Sequence, residues 1–312
     1  MNRRAVILFV TLGVAWGIPY AFIKIALQDL SPEMLVLART ALAAVVLLPI
    51  AIFRGELAGV VRYWRPLLAY TVVEIVFPWY CINAAEQRVS SSTVALLLAT
   101  IPIVGVGVAV VFRRAERLTW HNYLGMLIGV GGVVALVGLD AGRSDATGLM
   151  LLSVAILGYA IGPAILARWL ADAPNLSVVA LSFVITATLY VPVVGLTGTF
   201  PTAWPAPSTL ASLVILAVVC SGIAFLVMFA LVAEIGPVRM TAITYMNTAV
   251  AVALGAAMLG ERVTPATIGG FALVVGGSYL VTRRRFPATR PDQAVPYGSR
   301  PIPEEVAAEP TP

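Results

Sequence analysis

Charge is scarce in this sequence. Asp, Glu, Lys and Arg make up 11% of its 312 residues, against about 25% in soluble domains. A water-facing surface cannot be covered at that density, so most of the molecule must meet lipid. Lysine occurs once, at Lys24, and histidine once, at His121, which excludes any site needing two histidines. Cys81 and Cys220 are the only cysteines and both lie inside apolar runs. Neither a disulfide framework nor a thiolate metal site is therefore expected. No phosphate-cradling loop, zinc signature or nucleophile–base pair is present. Gly105-Val106-Gly107 lacks the third glycine and the strand context of a dinucleotide site. No metal, no cofactor and no ATPase function are expected. The basic residues sit at the ends of apolar runs rather than in a patch with aromatics, so nucleic acid is not an expected partner.

Long apolar runs are what the sequence has instead. A spanning helix needs about 20 predominantly apolar residues. That rule predicts spans at Ala5–Ala26, Pro32–Phe53, Pro66–Ala85, Ser91–Phe112 and His121–Leu139. A second set follows at Thr147–Arg168, Ser177–Thr197, Ser208–Ala233, Val238–Leu259 and Pro265–Thr282. The first run follows Arg3-Arg4 like a signal peptide, but it is too long for one and has no small-x-small cleavage site. The fold class is thus all-α integral membrane, ten helices as two five-helix halves, residues 1–139 and 140–282. Residues 283–312, Pro-rich and charged, read as a disordered cytoplasmic tail.

Arginine placement orients the spans. With the N-terminus inside, the inner loops and the start of the tail hold fourteen: Arg3, Arg4, Arg54, Arg62, Arg65, Arg113, Arg114, Arg117, Arg168, Arg239, Arg283, Arg284, Arg285 and Arg290. The outer loops hold three, Arg88, Arg143 and Arg262. That is a positive-inside bias with both termini cytoplasmic. Five spans per half also make the halves inverted relative to one another.

The halves echo each other. Glu116-Arg117-Leu118-Thr119 follows one apolar run and Glu261-Arg262-Val263-Thr264 follows another, 145 residues later. Gly125 and Gly270, and Gly131 and Gly276, keep that offset, so the repeat fixes the architecture. Pro19 and Pro163 fall in nearly matching places and read as paired kinks. The pattern resembles the drug/metabolite transporter superfamily, in its EamA-type members. Trp16-Gly17, Ala84-Ala85-Glu86 leading to Ser90-Ser91-Ser92, and Ala99-Thr100-Ile101-Pro102 match as well. The resemblance covers Ala5 to Thr282 and departs at Asn247, which aligns with Pro102 where the family often has a second proline. It implies alternating access and small metabolites, often exported, moved through a central cavity of a multi-pass plasma-membrane protein.

Glu74 is the most informative single residue. It lies eight or so residues into the third span, ~12 Å deep at 1.5 Å per residue. A charge near the bilayer centre costs at least ~2.5–3.5 kcal/mol, so such a residue faces a cavity or a partner. Pro78 lacks the N–H that would bond the Glu74 carbonyl. Arg39 enters from the other face at similar depth. Two readings stand: Glu74 and Arg39 form a proton-coupling site, or they form a structural pair that orders two helices. Trp16, Tyr20 and Lys24 share a face of the first helix. Thr241, Thr244, Tyr245 and Thr248 share a face of the ninth, at spacings of three and four. Ser182, Thr186 and Tyr190 stripe the seventh. Such hydroxyls either bind ligand or hold helices together. Trp16, Tyr20, Thr241, Tyr245 and Thr248 are the substrate-binding candidates. Gly13-x-x-x-Gly17 and Gly125-x-x-x-Gly129 permit close helix approach, the second either within the chain or in a homodimer.

The reading that follows is a secondary transporter of a small organic metabolite, an amino acid or related compound, moved outward with protons as candidate coupling ion. An intramembrane lipid-modifying enzyme would need clustered acids or histidines near a membrane face, which the sequence does not show. A non-transporting structural or sensory protein is the third reading. The topology makes a direct prediction. Cysteine at Ser144 should react with an impermeant thiol reagent in intact cells, and cysteine at Ala115 should not. The opposite labelling pattern would end the inverted-repeat reading.

Overall fold

A computed structural model describes residues 3–111, 120–139, 145–235 and 243–282. The first Glu-Arg-x-Thr knot (116–119), Thr241 and the tail 283–312 lie outside those residues. Among them, every regular element is helical. Helices α1 (Arg3–Gly17) and α2 (Pro19–Ala26) form the first apolar segment, and α3 (Pro32–Phe53) the second. After the short α4 (Ala58–Val61), the third segment runs through α5 (Trp64–Thr71), a π turn at Val72–Val76 and α6 (Phe77–Glu86). Then come α7 (Ser91–Leu98), α8 (Ile101–Val111), α9 (Trp120–Leu139), α10 (Ala146–Trp169) and α11 (Asn175–Thr197). α12 (Pro207–Val214), a π segment at Ile215–Ile223 and α13 (Ala224–Ile235) make one further rod, before α14 (Ile243–Leu259) and α15 (Pro265–Thr282). Seven of these segments are long and apolar enough to cross a membrane; the apolar stretches of α9, α14 and α15 are shorter.

Local chemistry sets the boundaries. Ser31 begins α3, its Oγ accepting from the Met34 amide at 3.1 Å, with Pro32 in the first turn. Ser90 does the same for α7 through Thr93, and Asp145 for α10 through Thr147 at 2.8 Å. Each satisfies an amide that the first turn leaves without a partner. Gly198 ends α11 at φ +65°, a left-handed cap that glycine adopts without strain. Trp64, Trp120 and Trp169 sit exposed at helix ends, where an aromatic ring spans the apolar–polar boundary. Leu127 and Val45 project outward from mid-helix.

The halves contact each other segment by segment. The most extensive helix contact is α9 with α15, and the next is α3 with α11. Both join a segment to its own counterpart 145 residues away. The contact of α1 with α13 is likewise matched by that of α10 with α6. A two-fold relation between halves produces such reciprocal pairs.

Two loop contacts support the pairing at the helix ends. Asp29 accepts from the Ala206 amide and the Thr209 hydroxyl, each at 2.7 Å. Those bonds, the Thr209 hydroxyl first, hold its carboxyl below the ordinary range. Arg88 pairs with Asp145, whose carboxyl is lowered chiefly by that bond.

The glycine motifs work inside the chain. A Cβ on Gly277 would lie 2.5 Å from the Gly129 amide nitrogen and 2.6 Å from the Gly125 carbonyl oxygen. Gly125-x-x-x-Gly129 therefore seats α15 within the chain, the first of the two uses expected for it. Gly13 and Gly17 seat α1 against Met246, Asn247 and Val250 of α14. Adjacent glycines give a sharp test. Gly277→Ala meets backbone that cannot move aside and should destabilise the protein by ~1–3 kcal/mol. Gly276→Ala meets nothing within 4 Å and should be neutral or stabilising, since alanine favours helix by about 1 kcal/mol. Thermal unfolding in detergent reads both; equal melting temperatures would contradict the glycine contact.

Candidate functional site

Four helices lose their regular ladder in the middle, and these places gather the polar side chains. α1 bends at Ile18 ahead of Pro19, with Ile18 keeping helical dihedrals and its bond to the Val14 carbonyl at 3.0 Å, and α7 ends at Ala99-Thr100 ahead of Pro102. Proline removes a donor and its ring crowds the preceding turn, which is why helices break or kink there. In the third segment, the Phe77 amide donates to the Val72 carbonyl five residues back, just before Pro78. Residues 215–223 follow the same wider register. Shifted by 145 residues, the first π turn falls inside the second. π insertions recur at functional sites because they re-aim side chains.

Glu74 lies in the first π turn. Its Oε2 is enclosed and has no hydrogen-bond partner. Gly162 of α10 lies against it, so closely that a Cβ there would sit 1.9 Å from Oε2. One turn earlier, a Cβ on Gly158 would lie 2.4 Å from the Val73 carbonyl oxygen and 2.7 Å from the Pro78 ring. Tyr70 and Tyr159 stand within electrostatic reach of the carboxylate. Gly158-x-x-x-Gly162 was visible in the sequence at the spacing noted for the other two motifs, and the sequence reading missed it.

The pairing of Glu74 with Arg39 does not occur in this structure, which is a correction to the structural-pair reading. The Arg39 guanidinium lies 3.9 Å from the centroid of the Trp79 ring. Its Nε donates to Ser221 Oγ at 3.1 Å, and that hydroxyl donates in turn to the Leu216 carbonyl at 2.9 Å. The wider register makes this five-residue bond available. Tyr20 and Tyr159 lie within electrostatic reach of Arg39. Arg39, Trp79 and Tyr20 come from the first half, Ser221 and Tyr159 from the second, so the cluster straddles the two. Depth from a helix end could not foretell this, because it says nothing of the direction in which a side chain leaves its helix.

The other candidates divide. Trp16 is half-buried and meets Phe225 edge-on at 6.0 Å between centroids. Tyr20 is half-buried and packs beside a core cluster drawn from both halves, Leu98 and Leu152 among its members. Thr248 is buried, and its hydroxyl donates to the Thr244 carbonyl at 2.8 Å within its own helix. Tyr245 is on α14, with its side chain outside the described residues, as is Thr241 altogether. Ser182 accepts from the Thr71 hydroxyl at 2.8 Å and Tyr190 donates to the Val76 carbonyl at 2.9 Å, so this stripe ties α11 to the third segment.

A second polar cluster closes one end of the bundle. Glu261 accepts from the Ser91 amide at 2.7 Å, the Ser92 amide at 3.0 Å and the Ser92 hydroxyl. It thereby caps α7 from the opposite half. Buried Glu86 accepts from the Ser91 hydroxyl at 2.7 Å, and Lys24 donates to the backbone carbonyls of Glu86 and Val89. Lys24 is therefore a strut between α2 and the Glu86–Val89 corner. Among the described residues no His, Cys, Asp and Glu cluster could hold a metal.

The profile of the EamA-like transporter family matches the chain twice, over residues 3–138 and 146–283. A protein of Streptantibioticus cattleyicolor named as a probable terminal-alkyne amino-acid exporter is 29% identical over 292 residues, 90% of this chain and 94% of its own. The uncharacterized inner membrane transporter YedA of Escherichia coli K12 is 25% identical over 280 residues, 88% of this chain and 89% of its own. A crystal structure at 21% identity has a TM-score of 0.66 and is matched over 98% of its length and 90% of this chain, a likeness of fold. The double match, one to each half, accounts for all the helical segments. The chain belongs to the EamA-like transporter family, and so is a multi-pass inner-membrane transporter of small organic solutes rather than an enzyme.

Proposed function

We propose that the chain exports an amino acid or a related small metabolite by alternating access, with substrate held at mid-membrane between two inverted halves, residues 1–139 and 140–282. In this reading ten segments span the bilayer and both termini are cytoplasmic. The observation that carries it is the Arg39–Trp79–Ser221 cluster with Tyr20 and Tyr159. It is polar, central and built from both halves, at the place where the helices lose their regular ladder. Inverted-repeat transporters bind substrate at such interrupted helices, because unwound backbone and unpaired polar groups are tolerated only where they line a cavity. The exporter from Streptantibioticus, alike over nearly its whole length, supports the substrate class and direction.

Trp16, Tyr20, Tyr245, Thr241 and Thr248 are proposed to line the path, aromatic faces holding the apolar part of the substrate and hydroxyls orienting its polar end. Glu74 is the proposed proton carrier. Its enclosed, unpartnered oxygen suits a group that takes a proton in one state and gives it up in the other.

Two measurements on protein in liposomes test these assignments. Tyr20→Ala or Tyr245→Ala should raise the half-saturating substrate concentration about tenfold, the equivalent of ~1.4 kcal/mol. Unchanged affinity and rate in alanine variants of Trp16, Tyr20, Tyr245 and Thr248 would make these residues packing. Glu74→Gln should abolish transport driven by a pH gradient while leaving equilibrative exchange. Full pH-driven transport in that variant would exclude Glu74 as the carrier.

A further inference from the structure

We propose that Arg39 is the substrate's carboxylate-binding residue, an anion subsite for a monocarboxylate. The proposal rests on the transport reading above. Arg39 is 8% exposed, and an arginine at this depth is protonated under all ordinary conditions. Removing a guanidinium from water is costly unless an anion and further hydrogen bonds compensate. Among the described residues Arg39 has no anion and one side-chain hydrogen bond, to Ser221. Its ion-pair partners would be Asp or Glu within 4.0 Å, and the ion pairs found among the described residues, Arg4–Glu234, Arg54–Glu56 and Arg88–Asp145, do not include it. The ionisable groups within electrostatic reach are Cys220, Tyr159 and Tyr20, which ordinarily carry no charge at neutral pH.

The hydrogen-bond inventory points the same way. A guanidinium has five N–H donors in a planar fork. Nε is engaged by Ser221, and Trp79 covers one face of the plane. The four N–H groups on Nη1 and Nη2 have no partner among the described residues. No described side chain or carbonyl therefore occupies the Nη edge. With Nε fixed and the plane clamped, the Nη edge is held ready for a fork-to-fork contact with two oxygens.

Charge selects the anion. One guanidinium balances one negative charge. A phosphate monoester would bring close to two, and the sole lysine is already held by the Glu86 and Val89 carbonyls. A carboxylate matches both the single charge and the planar fork. The aromatic rings of Tyr20, Tyr159 and Trp79 are the apolar neighbours for the remainder of the molecule.

The test uses purified full-length protein in chloride-free buffer, with melting temperature as the readout. Probes are acetate, benzoate, L-leucine and L-phenylalanine, against leucinamide, phenylalaninamide, chloride and inorganic phosphate. Carboxylates should raise the wild-type melting temperature and the amides should not. Arg39→Gln should abolish the shift. Arg39→Lys, which keeps the charge but loses the fork, should raise the half-saturating concentration about ten- to hundredfold, the range for a charged hydrogen bond. Without ligand, Arg39→Gln should melt no lower than wild type, since a buried unpaired cation has been removed. If Arg39→Gln does not fold, Arg39→Lys and Ser221→Ala carry the test, both shifting carboxylate affinity selectively.

Equal stabilisation by amides, an undiminished carboxylate shift in the Arg39 variants, stronger binding of phosphate or chloride, or no carboxylate shift in wild type would each overturn the proposal. Counterflow in liposomes separates the two readings. Stabilisation by carboxylates without movement of any solute would defeat the transport reading and leave the subsite standing. Transport of carboxylate and amide alike, unchanged in Arg39→Lys, would defeat the subsite and leave transport standing.

Discussion

Backbone amides and carbonyls surrounded by hydrocarbon must find partners within their own segment, and everything in this fold follows from that constraint. It makes each segment a helix and keeps the loops at the two ends. It also gives the exceptions their meaning. The regular ladder changes at Pro19, which has no donor, at Ala99-Thr100 and in the two π segments. Tyr190 donates to the Val76 carbonyl beside one of them, and Ser221 donates to Leu216 inside another. Side chains thus take over where the regular ladder changes, and those side chains come from, or reach toward, the opposite half.

Much of this was written in the sequence because hydrophobicity and length are one-dimensional signals. The span at Pro32–Phe53 has the same bounds in the structure, and Pro66–Ala85 differs by one or two residues from Trp64–Glu86. The first and fourth spans change register near proline, at Ile18 and at Ala99-Thr100, while the backbone bonds Ile18 to Val14 and Ala99 to Ala95 persist. Glu261 was legible as half of a repeat but not as the cap of α7, since capping across halves requires knowing which loops meet.

The polar core was legible by residue and not by partner. Arg39 and Glu74 were conspicuous because each is a charge in an apolar run. Their supposed contact is absent because the guanidinium leaves its helix in another direction, onto the Trp79 indole and toward the Ser221 hydroxyl, 182 residues away in the chain. Neither of those carries a formal charge, so no charge-matching rule would have selected them. The π register that brings Ser221 into place has no sequence signature of its own; it depends on tertiary contacts that the sequence does not state locally. Gly158 and Gly162 show the converse case, a local pattern whose meaning came only from the carboxylate pressed against it.

The cap that Glu261 places on α7 makes one end of the bundle a seal that is chemical as well as steric. Two amides at the start of a helix, together with one hydroxyl, are satisfied by a single carboxylate belonging to the other half. Any rocking that draws the halves apart at that end unsatisfies both sides at once. Only water can make good the loss on short notice, so separation and wetting there must occur together. The end cannot open a little and stay dry. In the proposed transport cycle, opening at that end would be closer to the tripping of a toggle than to the swing of a hinge.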